Sequence, residues 1–368
     1  MKKVLFFVDR LLIGGIQILI KNLLSNWDFS KIQVDILVLD DGFTYPLEKE
    51  LEQMGVTIYK LDGIWLKKPP DYVTYAKALD NFFLKHHDYI AIHMHSSSKN
   101  FFVLKYAKKY NIPIRIAHSH NTGFQTKSLL NIFIGNMLKT VLRYYATDLF
   151  ACSDYAGKWL FGNAKFDIIK NGVDLQKYCY SSNKREFVRK ELGINNQIVI
   201  GNVGRFVQQK NHKFMIGIFS ELLKVFPNSI LLLAGTGELI EQCKKYVEQL
   251  GIDKKVMFLG YRSDIHDLLQ AMDLFLMPSF FEGFPVTGVE AQACGLPCVF
   301  SDTITKEVKL TDFVEYVCLD SSVDVWVATI SRLLNNCDRN KCKEILKEKG
   351  FDIRCSVEWL QNFYLGNE

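Results

Sequence analysis

The sequence predicts an α/β protein made of two doubly wound parallel-sheet domains that face each other across a cleft. Short apolar runs rich in β-branched and aromatic residues alternate with helical patterns, and this rhythm occurs twice along the chain. The length of 368 residues is enough for two domains. Near-continuous apolar strands that alternate with helices are typical of parallel sheets covered on both faces.

The predicted elements follow this rhythm in order. The first half has strand candidates at 4–8, 34–40, 56–61, 89–95, 114–120 and 148–153. The second half has strand candidates at 198–204, 230–235, 256–260, 274–279 and 297–302. Helical spacing lies between them at 16–27, 103–110, 213–226 and 238–250.

The domain boundary is predicted near Asn171-Gly172, because this dipeptide is typical of a turn and precedes a new helical segment. The first domain then covers 1–175 and the second covers 176–352. Residues 353–368 have helical spacing without a strand partner, so we expect a final helix that packs back on the first domain.

Composition narrows the class of protein. The net charge of +5 is the sum of +6 from residues 1–175, which carry 22 Lys and Arg against 16 Asp and Glu, and −1 from the remainder, which carries 23 against 24. This excess is too weak to indicate nucleic-acid binding, but it permits attraction to anionic lipid or to a phosphorylated acceptor. The apolar run VLFFV is too short for a signal peptide, and no window resembles a membrane-spanning helix. We therefore expect a cytoplasmic protein, and a location at the inner face of the cell membrane is compatible with the same composition.

The nine cysteines are irregularly spaced and complete no zinc pattern, so they are interpreted as reduced thiols. They are Cys152, Cys179, Cys243, Cys294, Cys298, Cys318, Cys337, Cys342 and Cys355.

In the first domain, candidate site residues follow two predicted strands, where open parallel sheets bind ligands. Gly14 and Gly15 allow close approach of a ligand to the backbone before a helix, although the pair also fits a plain tight turn. His118 and His120 could be metal ligands, a base or structural residues, and we expect at least one in the site. The other histidines are interpreted as surface or structural residues: His86, His87, His93, His95, His212 and His266.

In the second domain, Arg205 and Lys210 lie in a loop after a predicted strand. A guanidinium and an ammonium that converge there suit a diphosphate, whereas the alternative is a solvated loop. Two further loops share this sheet edge, and each could also be a plain connection. Their candidate contacts are Glu238 and Leu239 at a helix start, and Tyr261 and Arg262 beside a flat base.

The stretch EGFPVTGVEAQACGLP places Glu282 in a loop and Glu290 in a helix. Gly283 and Pro285 prevent a continuous helix, so we expect it to begin near Pro285 or Val286 and to run through Ala293. A carboxylate accepts two hydroxyl hydrogen bonds, so vicinal diols are natural partners. Helix-dipole complementarity alone would account for Glu290 but not for Glu282.

These motifs together resemble the retaining, nucleotide-sugar-dependent glycosyltransferases of family 4, which have the GT-B fold. The match is Glu282-x7-Glu290 within EGFPVTGVEAQACGLPCVFSD and Arg205-x4-Lys210 within VGRFVQQKNH, with NGVD at 171–174 and the double glycine. The resemblance covers nearly the whole chain. It is greatest for the bacterial subgroup that builds capsular polysaccharide or exopolysaccharide.

The resemblance implies a role for each matching position. Arg205 and Lys210 would hold the donor diphosphate, and Glu290 would bind the ribose hydroxyls. Glu282 would contact the transferred sugar beside the backbone of three further donor-binding residues: Gly283, Phe284 and Pro285. Gly14 and Gly15 would approach the phosphates.

A histidine after a first-domain strand faces the reacting sugar in this family. His120 is the preferred match and His118 the second. Gln17 stands where the family often has Glu. The family also implies retention, no required metal, a nucleotide-sugar donor (UDP-linked in our interpretation) and a saccharide or lipid-linked acceptor.

Two alternatives keep the fold: a nucleotide-sugar epimerase that needs no acceptor, and a non-catalytic partner subunit. The segment 126–145 places Lys127, Lys139 and Arg143 among apolar residues. It is consistent with docking on a membrane surface and also with an ordinary core helix.

Overall fold

The structure is a computed structural model that describes residues 1–12, 14–61, 72–124, 128–334, 339 and 342–366. Lys127 and Cys337 lie outside the described residues. The chain divides into two compact units. Met1–Asn171 together with Ile353–Glu368 form the first unit, and Gly172–Asp352 form the second.

The first unit contains a seven-stranded sheet in the order β3-β2-β1-β4-β5-β6-β7, with every strand pair parallel. Its strands are β1 (Lys2–Val8), β2 (Ile32–Leu39), β3 (Thr57–Leu61), β4 (Ala91–Met94), β5 (Ile114–Ser119), β6 (Asp148–Ala151) and β7 (Asp167–Ile168). Its helices are α1 (Gly15–Ser25), α2 (Pro46–Gln53), α3 (Tyr72–Lys85), α4 (Phe102–Lys109), α5 (Leu129–Tyr145) and α6 (Asp154–Phe161), with α15 (Ile353–Leu365) from the end of the chain.

Strand β1 shows why this sheet is covered on both faces. Its side chains point alternately to opposite faces, as they must in a strand. Val4, Phe6 and Val8 enter one apolar core, and Leu5 and Phe7 enter the core on the other face. All five are fully buried. A run of consecutive apolar residues is therefore the sequence signature of a central parallel strand.

Helix α15 packs in the core of the first unit. Ile353, Leu360 and Tyr364 are buried among residues of β1 and α1. The rings of Trp359 and Phe363 both meet Phe150 of β6 edge to face, with centroids 5.3 and 5.1 Å away. The last helix thus completes one face of the sheet.

The second unit contains a six-stranded parallel sheet in the order β10-β9-β8-β11-β12-β13. Its strands are β8 (Ile198–Val203), β9 (Ser229–Ala234), β10 (Val256–Phe258), β11 (Leu274–Met277), β12 (Cys298–Ser301) and β13 (Val314–Val317). Its helices are α7 (Leu175–Tyr178), α8 (Ser182–Glu191), α9 (His212–Val225), α10 (Ile240–Gln249), α11 (Ile265–Ala271), α12 (Val286–Ala293), α13 (Val323–Leu334) and α14 (Cys342–Glu348).

Helices α9 and α13 cover one face of this second sheet. Trp326 of α13 is fully buried, and the ring of Phe214 meets it edge to face at 5.6 Å. Leu231, Leu233 and Leu276 project from the strands into the same cluster. Alternate residues along β9 therefore fix which face these helices cover.

The two sheets confirm the predicted fold class of two doubly wound, parallel-sheet domains. In each sheet the strand order reverses once, between β1 and β4 in the first unit and between β8 and β11 in the second. Open α/β sheets bind ligands at the carboxyl ends of the strands that flank this reversal. The eight described cysteines form no disulfide with one another.

Candidate functional site

In the second unit, the loops after β8 and β11 lie side by side because their strands are neighbours at the reversal of strand order. Gln209 accepts a hydrogen bond through its carbonyl from Phe280 N at 2.8 Å, and its amide donates to Phe281 O at 2.9 Å. Asn211 adopts a left-handed backbone with φ of 55° and donates to Pro278 O at 3.1 Å. These contacts fix the loops relative to each other.

The predicted site residues Lys210 and Glu282 meet where the loops join. Lys210 Nζ donates to Glu282 Oε1 at 2.7 Å, and the amide of Gln209 reaches Glu282 Oε2 at 3.4 Å. The side chains of Lys210 and Glu282 are 16% and 8% exposed. A part-buried ion pair held by loop hydrogen bonds is therefore fixed at the carboxyl edge of the sheet.

Arg205 lies in the same loop as Lys210, but its side chain differs in exposure and in hydrogen bonding. Its side chain is exposed and has no hydrogen bond or ion pair with the residues that the structure describes. A guanidinium carries five donors in a planar fork. Arg205 therefore keeps its full hydrogen-bonding capacity for a ligand, whereas Lys210 shares its charge with Glu282.

The loops after β9 and β10 join this edge through backbone contacts. Phe206 N donates to Thr236 O at 2.9 Å, and Gly235 N donates to Gly260 O at 2.7 Å. Gly235 has a φ of +145°, and a Cβ on it would lie 2.0 Å from Gly204 O. Only glycine fits this close approach.

The predicted residues of these two loops have different environments. Glu238 is exposed, and Leu239 caps α10, which begins one residue later at Ile240. Tyr261 is 41% exposed. Arg262 makes a bidentate ion pair with Asp264, at 2.8 Å from Nε and 2.5 Å from the second nitrogen. Asp264 holds the fork of Arg262, and the bonds with it raise the pKa of Arg262.

Helix α12 begins at Val286 with Pro285 as its N-cap and ends at Ala293, which confirms the bounds expected from the sequence. Glu290 lies on this helix, 2% exposed, and accepts a hydrogen bond from the Tyr178 hydroxyl at 2.7 Å. Burial and then the nearby Glu290 charge raise the pKa of Tyr178. The phenol therefore remains a donor that orients this carboxylate.

The turn before α12 has unused backbone donors. The N–H groups of Gly283, Phe284 and Val286 have no hydrogen-bond partner in the described part of the chain. The ring of Phe284 stacks on Phe351 at 5.9 Å, which anchors the turn. Free N–H groups at a helix N-terminus suit an anionic or hydroxyl oxygen.

In the first unit, Gly14 caps α1 with an extended backbone, and Gly15 is its first residue. A Cβ on Gly15 would meet no atom within 4 Å, so the space beside it is open. Gln17 donates from its amide to Arg10 O at 2.8 Å. Gln17 therefore ties the start of α1 to the segment that follows β1.

His118 and His120 are part of a group of four buried histidines, which we call the histidine quartet: His93, His95, His118 and His120. His93 Nε2 lies 2.9 Å from His118 Nδ1, and His95 Nδ1 lies 2.9 Å from His120 Nε2. The rings of His118 and His120 stack at 4.1 Å, as do those of His93 and His95. His95, expected to be a surface or structural residue, is buried, and its Nε2 has no partner among the described residues.

Burial is the main cause that lowers the pKa of every ring in the quartet. The pKa values of His93, His95 and His118 fall well below 6.5, with the neighbouring imidazoles as a further cause, and that of His120 falls to about 3. The four rings are therefore neutral at physiological pH. A neutral imidazole offers one donor and one acceptor.

Three members of the quartet also form a candidate metal group. The nitrogens of His93, His95 and His118 lie within 4.8 Å of one another. The lone pairs lie in the ring planes, and the His93 ring is within 16° and 21° of parallel to the rings of His118 and His95. Nearly parallel stacked rings do not direct three lone pairs to one point. The arrangement fits a hydrogen-bonded array better than a tetrahedral metal site.

Sequence reasoning missed Gln209, Asn211, Tyr178 and His95. Gln209 and Asn211 flank Lys210, and an Asn before a helix is a signal of a cap or a left-handed turn. Tyr178 is 112 residues from Glu290, and no local pattern marks that pair. His95 had a signal, since His93 and His95 alternate on one strand as His118 and His120 do on the next.

Two family models together match most of the chain. "Glycosyltransferase Family 4" matches residues 13–177, and "Glycosyl transferases group 1" matches residues 184–349. The first match lies largely within the first unit and the second lies entirely within the second.

Relatives and solved structures agree with these matches. The chain is 31% identical over 377 residues to "Putative glycosyltransferase EpsF" of Bacillus subtilis (strain 168), covering 99% of this chain and 96% of the relative. It is 28% identical over 302 residues to the UDP-Gal:alpha-D-GlcNAc-diphosphoundecaprenol alpha-1,3-galactosyltransferase of Escherichia coli, covering 77% and 76%. The HepE protein of Anabaena, solved with UDP and glucose, shares the fold with a TM-score of 0.72 at 20% identity, covering 99% and 95%.

These matches extend over both units. The chain therefore belongs to the glycosyltransferases of family 4 with the GT-B fold.

Proposed function

We propose that this enzyme transfers a sugar from a UDP-linked donor to a saccharide or lipid-linked saccharide, with retention of anomeric configuration, in the synthesis of a surface polysaccharide. The observation that carries the proposal is the Lys210–Glu282 pair beside the free guanidinium of Arg205, at the reversal of strand order in the second unit. One edge of one sheet thus offers cations for a diphosphate and a carboxylate for hydroxyls.

The basic and the acidic residues of the site contact different parts of the donor. Arg205 and Lys210 bind the diphosphate, since a planar fork and an ammonium are the usual phosphate ligands. Glu290, oriented by Tyr178, binds the ribose diol. Glu282 and the free N–H groups of Gly283 and Phe284 meet the transferred sugar.

The remaining donor contacts expected from the sequence lie on the neighbouring loops and at the start of α12. Tyr261 offers an exposed ring for the base, and Arg262 stands beside it in its pair with Asp264. Glu238 and Leu239 lie at the start of α10, on a loop joined by backbone bonds to that of Arg205. Pro285 caps α12 next to the sugar contacts.

A UDP-linked donor is supported by two similar proteins. The E. coli relative is named for UDP-Gal, and the HepE structure contains UDP. The acceptor proposal is supported by the same relative, whose name specifies a sugar on diphosphoundecaprenol.

Catalysis requires stabilisation of the departing diphosphate, and we assign it to Arg205, Lys210 and the N–H groups that precede α12. No step in this scheme needs a metal. The leaving phosphate accepts the proton of the acceptor hydroxyl on the face where the new bond forms. His120, or His118 beside it, contacts the reacting sugar, and Gly14 and Gly15 approach the phosphates. Isolation of a glycosyl-enzyme on Glu282 would refute this front-side mechanism.

A membrane contact for the acceptor is supported by helix α5. Its large apolar side chains are exposed on one stripe, with exposed fractions of 39 to 82%: Leu129, Leu130, Phe133, Ile134 and Met137. The helix contains no acidic residue. Of its residues, only Gly135 and Leu142 are buried, so an ordinary core helix does not describe it.

The two described basic side chains of α5 make hydrogen bonds within the protein. Lys139 donates to Trp159 O at 2.7 Å and lies over the Trp159 ring, and Arg143 donates to Phe161 O at 2.8 Å. These bonds hold α5 to α6. Docking would therefore depend on the apolar stripe, inserted at the level of the headgroups. Across the described ranges, no helix has the length and hydropathy to cross a bilayer.

The donor proposal is tested by a thermal-shift panel of nucleotide sugars, because a ligand that binds only the folded state raises Tm. We expect UDP-sugars to raise Tm in the presence of EDTA, and GDP- and ADP-sugars to leave it unchanged. The productive donor is then incubated with and without a lipid-linked saccharide. Transfer with a retained anomeric proton coupling in the product is expected, whereas an isomerised sugar from donor alone would identify an epimerase.

The membrane proposal is tested by flotation with vesicles that contain one-third anionic lipid at low salt. We expect the wild type to float and a Leu130→Ser/Phe133→Ser variant to remain at the bottom. A matched control, Phe187→Ser, changes an equally exposed aromatic of the second unit and should float as the wild type does. Wild-type protein that remains at the bottom would remove the docking proposal and leave the donor assignments intact.

A further inference from the structure

Three buried side chains of the first unit form a hydrogen-bonded chain that ends at His118. The Tyr364 hydroxyl of α15 lies 2.5 Å from Nδ1 of His93, at the end of β4. Nε2 of His93 lies 2.9 Å from Nδ1 of His118 on β5. All three side chains are at most 2% exposed. The last turn of the chain thus reaches a candidate site residue through one intermediate ring.

Two proton arrangements satisfy these two bonds, because a neutral imidazole has one N–H. Burial lowers the pKa values of His93 and His118 well below 6.5, so both rings are neutral. In the first arrangement, Tyr364 donates to His93 and His93 donates to His118. In the second, His118 donates to His93 and His93 donates to the Tyr364 oxygen.

The two arrangements differ in what they leave unpaired. The described residues give the Tyr364 hydroxyl no partner besides His93, and give Nε2 of His118 no partner at all. The second arrangement leaves the Tyr364 O–H without an acceptor and the Nε2 lone pair of His118 without a donor. The first leaves the Nε2–H of His118 without an acceptor and the Tyr364 oxygen without a donor, so the numbers of unpaired groups are equal. The bonds themselves differ, because a phenol O–H is a stronger donor than a neutral imidazole N–H and an imidazole nitrogen is a stronger acceptor than a phenol oxygen. The bond from the Tyr364 hydroxyl to Nδ1 of His93 therefore makes the first arrangement the more stable.

We propose that Tyr364 and His93 are positioning residues that fix His118 as the Nε2–H tautomer, so that it is a hydrogen-bond donor at the carboxyl end of β5. The bond that one ring nitrogen makes decides where the other nitrogen carries its proton. In the neighbouring pair, His95 and His120, no further hydrogen bond decides which ring donates to the other. Nε2 of His95 and Nδ1 of His120 have no partner among the described residues, so either ring can donate to the other.

The consequence for catalysis rests on the proposed function. A fixed N–H donor suits a hydroxyl or phosphoryl oxygen of the nucleotide sugar or acceptor, and it cannot serve as a general base. His118 would then hold an oxygen in place while the diphosphate leaves. The His120 ring, stacked on it at 4.1 Å, remains able to accept or donate.

The tautomers can be measured directly. The full-length chain is labelled with ¹⁵N in its eight histidines, and each ring is assigned by single substitution. We expect the His93 and His118 rings to show a protonated Nε2 and a bare Nδ1 at pH 7.5. A protonated Nδ1 on His118, or a fully protonated ring, would overturn the proposal.

The role of the chain end is tested with Tyr364→Phe, which removes one hydroxyl and keeps the ring. We expect His93 and His118 to become mixtures of tautomers. The control is Tyr89→Phe, which removes a buried hydroxyl of the same unit that bonds Asp35 at 2.9 Å. It should leave all histidine signals as in the wild type. Wild-type tautomers in Tyr364→Phe would contradict the proposal.

A kinetic measurement separates this inference from the proposed function. We expect Tyr364→Phe to lower kcat of sugar transfer roughly fivefold, with donor KM unchanged and Tyr89→Phe unaffected. Unchanged kcat together with altered tautomers would refute the role of His118 as a donor in the reaction. Absence of transfer by the wild type with every donor that binds would refute the proposed function, whereas the tautomer measurement would still decide the hydrogen-bond chain.

Discussion

Lys210 and Glu282 are joined by a 2.7 Å bond between Nζ and Oε1, although 72 residues separate them in the sequence. Each side chain comes from the loop that follows one of the two adjacent strands β8 and β11. An ammonium has three donors, so Lys210 can keep Glu282 while it binds a phosphate oxygen. The pair therefore couples the position of the diphosphate to that of the sugar carboxylate.

Lys210→Met and Glu282→Gln should each lower kcat/KM at least tenfold, about 1.4 kcal/mol of barrier, while the protein remains folded. Each change also leaves the other side chain without its partner, so we expect a loss of about 1–3 kcal/mol in unfolding free energy. The double variant should regain part of that stability. Steady-state kinetics and urea unfolding measure the two effects.

The control for this pair is Lys244→Met, since Lys244 bonds Glu241 at 2.8 Å on the exposed side of α10. Exposed pairs contribute little to stability, so this variant should match the wild type in both measurements. Wild-type turnover by Lys210→Met or by Glu282→Gln would remove the site assignment.

Arg205→Gln should weaken donor binding without affecting the fold. Because the guanidinium is exposed and has no partner among the described residues, its removal leaves no buried group unpaired. Loss of a charge-assisted bond to the diphosphate should raise donor KM by about tenfold or more. Calorimetric titration with UDP and a melting curve distinguish the two effects. A lowered Tm with unchanged affinity would show that Arg205 is structural.

The fold and several site positions could be predicted because their signals are local. Apolar runs specify the central strands, and Gly283 with Pro285 determines where α12 begins. Strands β7 and β13 were not predicted. β7 has two residues, and β13 has the sequence VEYV at a sheet edge, where burial on both faces is not required.

Contacts between distant segments could not be predicted in the same way. The Tyr178–Glu290 bond and the Tyr364–His93 bond join residues 112 and 271 positions apart. Each depends on which helices the sheet topology brings together, and a single hydroxyl on a buried ring leaves no periodic pattern. The same reason applies to the cross-loop bonds of Gln209.

Tyr178→Phe should weaken donor binding about three- to tenfold, because Glu290 loses the hydrogen bond from the Tyr178 hydroxyl while the ring remains in place. The change should appear in donor KM and in the UDP affinity, with kcat largely kept. Tyr316→Phe is the matched control in the same unit, since its hydroxyl bonds Thr305 O at 3.0 Å. Equal effects of the two variants would mean that Tyr178 acts through stability alone.

The histidine quartet should make stability fall as pH is lowered. All four pKa values are depressed by burial, that of His120 to about 3, so the folded rings stay neutral while the unfolded chain takes up protons below about 6.5. Stability is therefore full above pH 6.5 and is lost as pH falls toward the folded pKa values. Each ring contributes up to about 1.4 kcal/mol per pH unit in that window. Asp9, whose pKa burial raises, acts in the opposite direction as a single carboxyl.

Urea unfolding at pH 8.0, 6.5 and 5.5 measures this dependence. Between 8.0 and 6.5 the unfolding free energy should change little, and between 6.5 and 5.5 it should fall steeply. His95→Gln removes one titrating ring, so its slope below pH 6.5 should be shallower than that of the wild type. The control is His87→Gln, a histidine on the surface of the first unit, which should keep the wild-type slope. An unfolding free energy independent of pH down to 5.5 would show that the rings accept protons in the folded state.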